Sequence, residues 1–207
     1  MSAKGTLAAD LAVTGPIKSI KAGAITGSTI AANSLGSLSV VGNKKATPTL
    51  PVIAPDVSGL TLTLIGDGVA DNKPVLGTFS VGGTVSNSNV SVGGNVTKLS
   101  ALNFRGSNFY VGFTGTEAGV GTFESVATLK TVSITGATDG FQDSNIIATT
   151  VGTVTFKSVD ADNDGIKFGV ISDTSIKSLK VTVPAFEYTP FNPGTQGLNP
   201  DFEVKIV

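Results

Sequence analysis

A six-residue pattern recurs along the chain: an apolar residue, two small or polar residues, an apolar residue, one further residue and a last apolar residue. The copies begin at Ile17, Leu35, Leu76, Val96, Val120, Leu129, Val151 and Ile176, and the copy at Val120 is weaker because it ends in Ser125. Side chains two apart on a strand point to the same face, so the last apolar pair of each copy predicts a short strand with one buried face. The Gly-Ser, Gly-Thr, Lys-Ser or Lys-Thr pair in the middle predicts a corner.

The spacing of the copies predicts a stack of coils. Most copies begin 18 to 25 residues after the one before, one step of 41 is near two coils, and a step of nine indicates either two faces of one coil or a spurious copy. One such unit is too short to bury its own apolar face, but stacked units share a continuous core. A second pattern supports stacking locally, because apolar residues recur every five positions at Ile20, Ile25, Ile30, Leu35 and Val40.

The pattern therefore predicts an all-β chain that forms a single β-solenoid, a parallel β-helix of about seven to nine coils. We expect the solenoid over residues 1–183, with a loop excursion at 43–56. Residues 184–207 carry four of the nine prolines and several aromatic residues, and we expect them to cap the open sheet edge. A two-sheet β-sandwich is the alternative, because alternation alone does not distinguish parallel from antiparallel strands.

Composition narrows the classes of function. The chain is 40% hydrophobic and only 14% charged, which argues against disorder. The net charge of −1 argues against a nucleic-acid partner and against docking on anionic lipid. There is no Cys and no His, which removes disulfides, Cys-based zinc sites and the commonest general base. We expect no membrane span, since no run approaches 18 apolar residues, and the first residues lack the apolar stretch of a signal peptide.

The acidic segment Asp160-Ala-Asp162-Asn-Asp164-Gly165 is the sharpest local motif. Alternating carboxylates before a glycine can converge on Ca²⁺, which takes six to eight oxygen ligands. The EF-hand form requires Glu at the twelfth loop position, where this chain has Ile171. We therefore expect Asp160, Asp162 and Asp164 either to form a calcium loop of another kind or to form a solvated turn, which these residue types also favour.

Catalysis is not expected. A polysaccharide-cleaving β-helix would need a basic residue that abstracts a proton and aromatic platforms for the sugar, whereas this chain has one arginine, Arg105, no Trp and only two Tyr. A paired-carboxylate site would depend on a separation that sequence does not give. The aromatic cluster Phe104, Phe109, Tyr110 and Phe113 is predicted to lie in the core or to pack under a loop.

The stretches Ile-Lys-Ser-Ile-Lys-Ala-Gly at 17–23 and Ala-Ile-Thr-Gly-Ser-Thr-Ile at 24–30 resemble the β-helical repeats of large bacterial surface and autotransporter-like proteins. The resemblance covers most of residues 11–183. It implies a right-handed parallel β-helix, export, and a structural or adhesive role at the cell surface, as a stalk, passenger or surface-layer element. The expected partners are surface glycans or other surface proteins. Two alternatives stay open: a carbohydrate-binding or carbohydrate-processing β-helix, and a self-assembling filament subunit.

Overall fold

The computed structural model describes residues 1–46, 51–117, 120–190, 194–198 and 200–207. Within them the chain is all β, with no helix, and the N-terminal stretch 6–12 forms two short strands. In chain order the strands are β1 (Thr6–Leu7), β2 (Leu11–Ala12), β3 (Pro16–Ile17), β4 (Ile20–Ala22), β5 (Ala24–Thr26), β6 (Thr29–Ala32), β7 (Ser34–Val40), β8 (Val57–Ser58), β9 (Thr61–Leu64), β10 (Leu76–Val81), β11 (Thr84–Ser86), β12 (Asn89–Val92), β13 (Val96–Ala101), β14 (Asn103–Arg105), β15 (Asn108–Val111), β16 (Phe113–Glu117), β17 (Val120–Phe123), β18 (Thr128–Ile134), β19 (Phe141–Gln142), β20 (Asn145–Ser158), β21 (Phe168–Val183), β22 (Phe186–Glu187), β23 (Gln196–Leu198) and β24 (Phe202–Ile206).

Each coil has up to three successive strand segments, which we call its first, second and third segments. They contribute to two long sheets of mainly parallel strands. The first segments form a six-stranded sheet in the order β1-β5-β8-β11-β14-β19. The second and third segments form a 16-stranded sheet, whose two halves are joined where β20 and β21 run through both without a break. Successive coils pair in parallel, as in β7 with β10 and β10 with β13. This pairing confirms the β-solenoid and excludes the antiparallel β-sandwich.

The six-residue repeat forms the third segment of each coil. Its central apolar residues stack in direct register from coil to coil, and one residue per coil gives seven coils. This column is Ile20, Leu38, Phe79, Leu99, Val132, Val154 and Leu179. The first and last apolar residues of the copies flank it, and in strands such as β10 all three are buried. The predicted shared interior is therefore confirmed.

One copy of the repeat lies outside the stack. The strand β17, which begins at Val120, pairs antiparallel with β16 in a hairpin that leaves coil five between β15 and β18. The step of nine residues between Val120 and Leu129 is thus the distance from a hairpin strand to the next true copy. The copy at Val120 is therefore spurious as a member of the stack. A local apolar pattern does not determine which strand a segment pairs with.

The five-residue register is fully buried: Ile20, Ile25, Ile30, Leu35 and Val40 are all 0% exposed. They lie on β4, β5, β6 and twice on β7. In β7 the buried positions Leu35 and Leu38 are three apart, so the strand bends at Gly36-Ser37, where the repeat predicts a corner.

A column of buried serines fills the corner between the first and second segments. Each follows a residue with positive φ, and each hydroxyl donates to the carbonyl two residues before it, as Ser88 does to Ser86 at 2.8 Å. The hydroxyl also accepts an amide from a neighbouring coil: the Ser88 amide donates to Ser107 Oγ and the Ser107 amide to Ser144 Oγ, both at 3.1 Å. Buried polar groups are stable when hydrogen-bonded in this way. The serines are Ser28, Ser88, Ser107 and Ser144.

The aromatic cluster divides between two places. Phe104 and Phe109 are fully buried in the main core. Tyr110 and Phe113 lie in a separate small core with Ile147, Ile171 and Phe123, on the hairpin side of the sheet. Both predicted environments, the core and packing beneath a loop, occur in the same cluster.

The C-terminal residues cover the last coil. The strand β24 pairs in parallel with the first half of β21, β22 pairs antiparallel with its second half, and β23 pairs with β24. Phe202 on β24 is 2% exposed and meets the rings of Phe141, Phe156 and Phe168. We call residues 184–207 the cap. Phe191 and Pro193 of the cap, and residues 47–50 of the predicted excursion, lie outside the described residues.

Candidate functional site

The outer surface of the third segments is a face of lysine, serine, threonine and glycine. In the seven true copies of the repeat, the second, third and fifth positions point outward, and every one of them holds one of these four residue types. None holds an acid, although the chain has 15 acids and 14 basic residues. We call this surface the lysine face. Its lysines are Lys18, Lys21, Lys98, Lys130, Lys177 and Lys180.

Among the described residues, no lysine of this face forms an ion pair with an acidic side chain. In the part of the chain that the structure describes, the ion pairs within 4.0 Å are Lys167 with Asp201 and Lys205 with Glu203, and both lie outside the face. Glu187 on β22 stands opposite Lys180 in backbone register without forming an ion pair. The face is therefore positively charged although the whole chain is nearly neutral.

Two adjoining depressions lie along the lysine face. One, of about 250 Å³, is lined by Asn72, Lys73, Pro74, Asn95, Val96, Thr97, Thr128 and Lys130. The other, of about 530 Å³, is lined by Thr128, Lys130, Thr131, Thr150, Val151, Gly152, Thr153, Ser175 and Lys177. They share Thr128 and Lys130, so they form one shallow groove across several coils.

The stacking register sets the lysine spacing in this groove. Leu129, Val151 and Ile176 are direct partners on successive coils, so the residues that follow them, Lys130, Gly152 and Lys177, form one outward column. The two ammonium groups stem from positions two coils apart, or about 10 Å. Gly152 between them has no side chain, which leaves the floor open.

The acidic loop from Asp160 to Gly165 connects β20 to β21 and forms a turn. The Asp162 amide donates to Asp160 Oδ1 and the Asp164 amide to Asp162 Oδ1, both at 3.3 Å. Asp160 Oδ2 also accepts from the Gln142 side chain at 3.1 Å. Among the described residues no group of three or more acidic side chains is arranged to hold a metal ion. Calcium binding by Asp160, Asp162 and Asp164 stays a prediction.

A buried carboxylate from the cap holds this loop in place. Asp201 is 1% exposed, and its Oδ2 accepts the amides of Asn163 and Gly165 at 2.9 and 3.0 Å. Lys167 pairs with Asp201 Oδ1 at 3.6 Å. The Asn163 hydrogen bond is the main cause that lowers the pKa of the Asp201 carboxyl; burial opposes it, and Gly165 and Lys167 lower the pKa further.

The lowered pKa of Asp201 predicts acid sensitivity. Because the folded state favours the ionised form, its stabilising effect is present above the unfolded-state pKa and is lost as pH falls through the folded-state pKa. We expect the melting temperature of the wild type to fall more steeply below about pH 4 than that of Asp201→Asn. Thermal unfolding of both proteins between neutral pH and strongly acidic pH measures this. Parallel curves would contradict it.

Sequence reasoning missed the lysine face, the serine column and Asp201. The lysines are separated by up to some 160 residues, but aligning the copies of the repeat would have shown an excess of lysine and an absence of acids at outward positions. The serines follow Gly27, Asn87, Gly106 and Asp143, and the recurrence of a turn residue, serine and then Thr or Asn was a usable signal. Asp201 carries no local signal, because its partners lie 36 and 38 residues away.

Comparisons with known proteins assign no family. Within the described residues no helix is long and apolar enough to cross a membrane. No family model, curated protein or solved structure matches the chain.

Proposed function

We propose that this chain is a rigid, non-catalytic structural or adhesive module that works outside the cell or on its surface. The observation that carries the proposal is the combination of one continuous stacked interior with side faces of short polar residues. Seven coils rising by about 4.8 Å each give a rod of roughly 30 Å. Such a stack holds its outer side chains at fixed, repeated positions, which suits spacing, presenting or adhering.

The surface chemistry supports this role over carbohydrate processing. A processing β-helix would be favoured by aligned acids and exposed aromatics along one face. Along the lysine face there are no acids, and the large hydrophobic side chains exposed in the described parts of the chain are all aliphatic. Rows of serine, threonine and lysine side chains favour binding of a partner without catalysis.

Self-assembly into filaments is the remaining alternative. End-to-end stacking needs an open coil edge at both ends of the rod. At the C-terminal end, β22 and β24 occupy the edge of β21, so a second chain would have to displace the cap. The cap therefore opposes stacking through this end of the rod, which disfavours a filament.

Cell-surface labelling tests the proposed location. On cells that produce the protein, we expect an antibody raised against the chain to label intact cells as strongly as permeabilised ones. An intracellular protein labelled in parallel serves as the control for membrane integrity. Label that appears only after permeabilisation would contradict the proposal.

A further inference from the structure

We propose that the lysine face binds a linear anionic polysaccharide whose repeating carboxylates lie along the rod. The inference deepens the proposed adhesive function, on which it rests, by naming the class of partner. The face is a sheet-based surface on which four of the seven stacked coils carry one or two lysines. A polymer with one negative charge per repeating unit is complementary to it in charge and in shape.

Charge segregation is the first argument. Six of the 14 basic residues lie on one face, which holds none of the 15 acids, in a chain whose net charge is −1. None of the six lysines forms an ion pair in the described parts of the chain. Like charges gathered on one face repel one another, so the face is stabilised when an anionic partner covers it.

The hydroxyl rows are the second argument. Each coil places Ser or Thr on the face, beside lysines of the same coil, as Thr131 and Ser133 on β18, or of neighbouring coils, as Thr153 and Thr155 on β20. The hydroxyls of Ser80 and Ser100 are 3.3 Å apart on neighbouring coils, so the rows follow the register of the strands. Hydroxyl groups both donate and accept, which suits the hydroxyls of a sugar chain.

The groove supplies a place for the chain. Lys130 and Lys177 stand on either side of Gly152, at positions about 10 Å apart along the rod. Lys73 extends the line of charge from the excursion between β9 and β10. A carboxylate can approach each ammonium group while the sugar rings rest over the open floor between them.

The same features disfavour the other polyanions. Duplex nucleic acid carries one charge per about 1.7 Å, far denser than these lysines, and single strands require aromatic stacking platforms that the face lacks. Docking on a lipid surface is strengthened by apolar side chains that enter the membrane, and every outward position of the repeat here is Lys, Ser, Thr or Gly. Of these polyanions, a carboxylate-bearing polysaccharide best fits the chemistry of rows of lysine and hydroxyl groups.

Binding of polygalacturonate to the full chain tests the proposal. We expect immobilised polygalacturonate to retain the protein, neutral dextran not to retain it, and retention to fall as NaCl is raised, because exposed charges are screened. Lys130→Gln with Lys177→Gln is expected to weaken binding roughly tenfold, because two of the exposed ammonium groups that line the groove are lost. The matched control, Lys44→Gln with Lys45→Gln, removes the same charge from a loop outside the face and should bind like the wild type.

Each other outcome overturns the inference. It fails if the wild type does not bind polygalacturonate, if the groove variant binds as tightly as the loop variant, or if duplex DNA or phosphatidylserine vesicles bind more tightly. Shortening of the polymer during incubation would show processing instead of binding. Circular dichroism of both variants checks that they fold. Intact-cell labelling does not depend on this assay, so the proposed location can stand when the polysaccharide does not bind.

Discussion

Replacing Phe141 by alanine is expected to lower the free energy of unfolding by about 3–5 kcal/mol. Phe141 is 0% exposed and lies between two parallel rings, Phe104 at 6.2 Å and Phe156 at 4.3 Å between centroids. It also meets Phe168 of coil seven and Phe202 of the cap. Alanine would open a cavity at the point where three coils and the cap share one interior, and close-packed neighbours relax only partly into such a space.

Urea unfolding measures this loss as a lower midpoint at an unchanged slope. The control is Val126→Ala, since Val126 is 90% exposed, and we expect it to change stability by no more than about 0.5 kcal/mol. Phe141→Leu should cost less than Phe141→Ala, because it leaves a smaller cavity. If both Phe141 variants unfolded like the control, the aromatic stack would not be part of the folding core.

The repeat could be found from the sequence because it is local and is repeated many times. Its apolar positions at one, four and six recur in every coil, and the requirement for one shared interior turns that recurrence into columns. The first and second segments were harder to see, since strands such as β8 and β19 are two residues long. A strand of that length has no alternation to detect.

Local pattern also has a limit, which the segment at Val120 illustrates. Its residues Val120-Gly-Thr-Phe123 repeat the motif, yet they pair with β16 in a hairpin. Pairing depends on which strand lies alongside, and that is a property of the whole coil. The position of the Asp201 carboxylate also has no local signal in the sequence. It reaches the amides of the acidic loop only because the cap returns across the last coil.

The lysine face shows that the net charge of a chain does not describe the charge of each of its faces. The total of −1, which argues against nucleic acid and against docking on anionic lipid, averages the charge over the whole surface. Stacking places residues with the same position in the repeat on the same face, so a bias at one position becomes a charged surface. Position within the repeat, and not the total, determines the field that a partner meets.

Replacing Gly169 by alanine is expected to release the cap and to lower the free energy of unfolding by about 3 kcal/mol, from backbone strain and the exposure of Phe202. Gly169 has φ of +148°, and a methyl group there would lie 1.9 Å from the carbonyl oxygen of Glu203. Since Gly169 and Glu203 are direct partners of β21 and β24, only separation of these strands would make room. The control is Gly15→Ala, where the added methyl group meets nothing within 4 Å.

Loss of the cap should also change how the rods associate. Once β24 leaves, the edge of β21 from Phe168 to Ser172 has unpaired amides and carbonyls, and an open edge pairs readily with another chain. Sedimentation of Gly169→Ala should therefore show association that grows with concentration, whereas Gly15→Ala should sediment like the wild type. A Gly169→Ala protein that stays as small and as stable as the control would mean that β24 does not protect this edge. In that case the cap would be an appendage, and some other feature would have to end the stack.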